Sequence, residues 1–139
     1  MEFFEIPEMP GDFAGEHPVA ASTILSTGAI VALNAAGNAV EAASAITGHA
    51  IGRCVEGVDN SAGAIGAQKV TVKRGVFSLA LDVTNPPNKS HVGGLVWFTA
   101  PDTVSSLDTV TCRGGILLGF DYEGRALVDL TVTTKTAGL

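Results

Sequence analysis

Three histidines, two cysteines, a few turn carboxylates and one tryptophan are the residues whose types could do chemistry in this chain. His17, His49 and His91 lie far apart, with no carboxylate or thiol at metal-ligand spacing, so they read as surface or packing residues. His49 and Cys54 are five positions apart, which in one regular strand puts them on opposite faces and forbids a shared metal. Cys54 and Cys112 read as buried free thiols in a chain whose start is not a secretion signal, with a disulfide between them left open. Asp59 with Asp102, Asp121 or Glu123 would make an acid pair only if the fold brought them together, and each sits at a turn, where acids are expected anyway. Trp97, in Leu95-Val-Trp-Phe-Thr-Ala100, reads as core or interface rather than as a sugar-stacking platform. GxSxG, HExxH, a P-loop and paired CxxC motifs do not occur. The expectation is a chain without catalytic, cofactor-binding or metal-binding residues, and not an enzyme.

The elements that would position these residues are short strands. Asn34-Ala-Ala-Gly37, Asn60-Ser-Ala-Gly63 and Asp121-Tyr-Glu-Gly124 share the pattern Asn/Asp-x-x-Gly. Asn or Asp opens a type I turn by accepting a nearby backbone N–H, and glycine in the left-handed conformation closes it as a bulged hairpin. Strands are predicted over 28–33, 39–43, 50–58, 70–73, 76–83, 95–99, 109–111, 116–121 and 125–132. Phe77, Leu79, Leu81 and Val83 alternate with Ser78, Ala80 and Asp82, and Val128, Leu130 and Val132 with Asp129 and Thr131. Gly75, inside one apolar run, predicts a bulge. Asn85–Asn88 and Ala100–Thr103 read as loops or turns, and Ser90–Gly94 as a short helical turn at most. The fold class is therefore all-β, a small barrel or sandwich built from short hairpins with an extended N-terminal arm. The domain reading is an acidic arm over 1–18, a β domain over 19–133 and a tail over 134–139.

Composition narrows the partners. The 139 residues are 46% hydrophobic and only 16% charged, against about 25% charged in an average soluble protein, which suggests surface hidden against partners. No apolar run approaches the ~18 residues that would span a bilayer, and the acidic start MEFFEIPEMP is unlike a signal peptide. Residues 1–52 hold six acids and no Lys or Arg, while the remainder holds eight of each, so the whole net charge of −6 comes from the first part. No basic stripe offers itself to a phosphate backbone, so direct nucleic-acid binding is not expected.

The series GAIVALNAAGNAVEA, GRCVEGVDNSAGAIGAQKVTVKRGVFSL, LVWFTAPDTVSS and GILLGFDYEGRALVDLTV, over about 19–133, resembles the capsid cement (head decoration) proteins of tailed bacteriophages. Its most specific piece is Val58-Asp-Asn-Ser-Ala-Gly63 leading into Val70-Thr-Val-Lys-Arg-Gly-Val-Phe77. The resemblance implies a structural protein on the outer surface of the virion, with the major capsid protein and its own copies as partners. A homotrimer at a threefold or quasi-threefold junction is expected, with a homodimer as runner-up. Other readings are a tail or spike subunit, or a small ligand-binding or enzymatic barrel.

The arm departs from the shorter start usual in that family. Phe3, Phe4 and Ile6 are large apolar residues in a segment that Pro7, Pro10, Gly11 and Gly15 keep from forming a regular helix. Burying each yields roughly 1.5–3 kcal/mol, while ordering each backbone residue costs about 1–2 kcal/mol. Only a short piece near 2–7 is therefore expected to dock, as a strand or anchor on a neighbouring subunit. Phe3, Phe4, Ile6 and Trp97 are the expected interface residues.

Overall fold

A computed structural model describes residues 14–131. Among them, short alternating runs form twelve strands and a single 3₁₀ turn. The strands are β1 (Ala14–Pro18), β2 (Thr23–Leu25), β3 (Ile30–Asn34), β4 (Ala39–Glu41), β5 (Gly48–Cys54) and β6 (Val58–Asn60), then β7 (Lys69–Lys73), β8 (Val76–Leu81), β9 (Leu95–Ala100), β10 (Thr103–Ser105), β11 (Cys112–Phe120) and β12 (Ala126–Asp129).

Five of them close into a barrel in the order β11, β12, β8, β10, β9 and back to β11. The step between β8 and β10 is parallel and the others are antiparallel. Closure leaves no unpaired strand edge around the ring, and a barrel this narrow is filled by its own side chains. Alternate residues supply them: Leu79 from β8, Val96 and Phe98 from β9, Ala126 and Val128 from β12, with Val104, Leu117 and Leu130.

A second lobe grows from β11. The start of β5 pairs parallel with Cys112 and Arg113, and the sheet continues through β3 to β4 on one side and through β7 to β1 on the other. The β2–β6 ribbon covers it. Leu25 and Val58 from this ribbon pack with Val19, Val31, Ala39, Ile51, Cys54, Val70 and Val72 in a separate core. Strands β3 and β5 belong to both lobes: Ile30, Ala32 and Ala50 join the barrel core, whereas Val31 and Ile51 join the second.

Several expectations need correction. Residues 14–18 are not arm but an edge strand, antiparallel to β7, with Pro18 at its end where a missing N–H costs no ladder bond. The apolar run 50–58 is broken at 55–57 into β5 and β6, which lie in different sheets. Gly75 marks no bulge but the crossing between lobes, since β7 pairs in the second and β8 in the barrel. Strand β10 starts at Thr103, within the expected loop 100–103, whereas 109–111 is not a strand and the Val110 N–H closes a turn onto the Leu107 carbonyl. Val83 is 96% exposed, because β8 ends at Leu81. The helical turn is confined to Lys89–His91, capped by Asn88. Phe3, Phe4 and Ile6 lie outside the described residues, as does Val132.

Candidate functional site

The sequence singled out three Asn/Asp-x-x-Gly turns. At the β3–β4 hairpin the Asn34 side chain accepts from the N–H groups of Ala36 and Asn38, and Gly37 takes φ +87°. At the β11–β12 hairpin Asp121 accepts from the N–H groups of Glu123 and Arg125, and Gly124 takes φ +81°. The middle turn differs. Gly63 is not in the left-handed region; a Cβ there would run into the Asn60 amide oxygen. Asn60, only 2% exposed, uses its amide nitrogen to hold the Ala20 and Ala64 carbonyls. This turn therefore clamps a loop where the other two join strands.

The carboxylates act locally. Asp121 also accepts from the Ser78 hydroxyl at 2.7 Å, and this bond, with the backbone N–H of Arg125, holds its carboxyl below the ordinary aspartate range. Asp59 is likewise lowered by hydrogen bonds from Ser61. Asp102 accepts from the Thr103 hydroxyl. Cys54 and Cys112 are both free and buried, and they belong to different cores, so no disulfide joins them. Burial pushes the Cys112 thiol up to about 11 and also raises Cys54. Such thiols stay protonated, and the thiolate is the reactive form. Among the described residues no group of three or more His, Cys, Asp and Glu could hold a metal ion.

Among the described residues, two hollows bear on the candidate residues. The smaller, about 160 Å³, lies on the second lobe against Gly15, Glu16, His17, Ile51, Val72 and Arg74. Desolvation first, and the Arg74 charge second, lower the His17 pKa. Arg74 also donates to the Leu130 carbonyl at 3.3 Å, tying the crossing between lobes to the end of β12. The larger hollow, about 340 Å³, lies on the outside of the barrel and contains Trp97. Val96 and Phe98 point into the core, so Trp97 between them faces outward, half-buried and opposite Arg113 of β11. Thr47, Asp108, Thr109, Val110 and Thr111 complete its lining. Sequence reading found Trp97 but not these neighbours, because the β9–β11 register that joins them carries no local signal.

No family model, curated protein or solved structure matches this chain.

Proposed function

We propose that this chain is a capsid cement protein that binds the outer surface of a phage head at junctions between major capsid subunits and stabilises it there. The observation that carries the reading is the resemblance over 19–133, above all Val58–Gly63 leading into Val70–Phe77. The first of these pieces builds β6 and its clamped turn, and the second runs from β7 across Gly75 into β8, linking the two lobes.

The architecture suits a mechanical task. A closed barrel resists deformation without offering edges to other copies, while β1 leaves one edge of the second lobe unpaired among the described residues. The acidic segment that precedes β1 in sequence carries Phe3, Phe4 and Ile6, and in this reading it docks as an added strand or apolar anchor on a neighbouring subunit. In this reading the chain is a homotrimer, resides on the virion exterior, makes no direct contact with nucleic acid or membrane, and has no catalytic role. The test is sedimentation of the isolated chain together with its retention on heads stripped of cement. A trimer that saturates the heads is expected; a monomer that is not retained overturns the reading.

A further inference from the structure

The groove around Trp97 combines an outward tryptophan with hydroxyl-matching polar side chains, and we infer that it binds a neutral oligosaccharide. Sugar rings have two contrasting kinds of surface: a face of C–H bonds and a rim of hydroxyls. The C–H face lies well on the electron-rich face of an indole, and each hydroxyl both donates and accepts. Trp97, outward on β9, supplies the platform. Val110 adds an apolar patch beside the indole, and the polar lining suits the hydroxyls, with Asp108 as acceptor, Arg113 as donor, and Thr47, Thr109 and Thr111 able to accept. One acid and one base leave the rim without net charge, which favours a neutral ligand over an anion.

The walls are built before any ligand arrives. The Val110 N–H closes the turn carrying Asp108 and Thr109 onto the Leu107 carbonyl at 3.2 Å. The Thr111 hydroxyl donates to the Ile46 carbonyl at 2.8 Å, fixing the loop that holds Thr47. Register places Arg113 directly across from Trp97. A preformed wall lowers the ordering cost of binding. The volume of about 340 Å³ falls at the lower end of the roughly 300–1,000 Å³ typical of ligand sites, enough for one or two sugar units. The hollow at His17 is half as large and has no aromatic platform. This inference does not depend on the capsid reading.

Trp97 is the sole tryptophan of the chain, so its fluorescence reports this groove alone. The full chain would be titrated with maltotriose, cellotriose, mannotriose and triacetylchitotriose. At least one is expected to shift Trp97 emission saturably. Asp108→Asn, at an exposed position, is expected to weaken that binding at least tenfold with an unchanged melting temperature, and Trp97→Phe to weaken it in calorimetry. No saturable shift with any of the four sugars up to their solubility overturns the site. So does a shift that Asp108→Asn leaves unaltered. A shift produced by stripped heads but by none of the sugars overturns it too, and makes the groove a protein interface.

Discussion

The two lobes are built from similar strands and end differently. In the barrel every strand of the ring has two neighbours and the interior holds Phe98, Leu117 and Leu130. In the second lobe β1 keeps one edge unpaired among the described residues, while Val19 just after it bridges Ala39 of β4, and the core centres on Leu25, Ile51 and four valines. Closure disposes of backbone donors and acceptors internally, while an open edge leaves a row of them for water or for another chain. In the proposed reading the barrel is scaffold, and the edge of β1 is where attachment through the preceding segment is expected. The lobes are nevertheless one folding unit, since β3 and β5 are buried on both faces and neither core is complete without them.

Core truncation should give the largest effects. Phe98→Ala in the barrel is expected to cost about 3–5 kcal/mol and Ile51→Ala in the second lobe about 2–5 kcal/mol. Because the cores share strands, each variant should unfold in a single shifted transition, seen alike by Trp97 fluorescence and far-ultraviolet dichroism. Two separated transitions in Ile51→Ala would show that the lobes unfold independently.

The hairpin glycines come next, one in each lobe. A Cβ at Gly37 or Gly124 would meet nothing within 4 Å, so only the backbone conformation opposes a side chain there. Gly37→Val and Gly124→Val should each cost about 1–3 kcal/mol, and by similar amounts. Denaturant melts that differ widely between the two would mean that one hairpin is supported by more than its turn.

The smallest effect is the pH response of the two turn acids, Asp121 in the barrel and Asp59 in the other lobe. Both carboxyls have folded pKa values below the ordinary range. Their stabilisation is therefore full above the unfolded value of about 4 and is lost as pH falls through the folded one. Wild-type protein should lose stability more steeply than Asp121→Asn or Asp59→Asn on acidification below about pH 4. Parallel melting curves for wild type and both variants across that range would refute the assignment.

Parts of both lobes were legible because their signals are local. Alternation in Phe77–Leu81 and at Val128 and Leu130 marks an inward face, and Asn34–Gly37 and Asp121–Gly124 carry their own turn chemistry. What escaped depends on distant pairing. Strands β2, β6 and β10 have three residues each, too few to show a period, and exist because partners far along the chain hold them. Proline and glycine made 14–18 look like free arm, yet an edge strand tolerates both. Gly63 closes its turn onto the Asn60 carbonyl without the left-handed conformation, and the reason for glycine there is the buried amide of Asn60. Of the groove, only Trp97 could be seen; the other lining residues come from two further stretches, brought to it by the β9–β11 and β5–β11 pairings.

Attachment through the segment preceding β1 is tested most directly by removing residues 1–13, which ends the deletion just before β1. Binding to cement-stripped heads would be titrated for the full chain and the truncated one, with melting curves taken in parallel. The account predicts that the truncated protein keeps its melting temperature and binds at least about tenfold more weakly, a loss of roughly 1.4 kcal/mol or more. Equal affinity of the two proteins for the heads would contradict it.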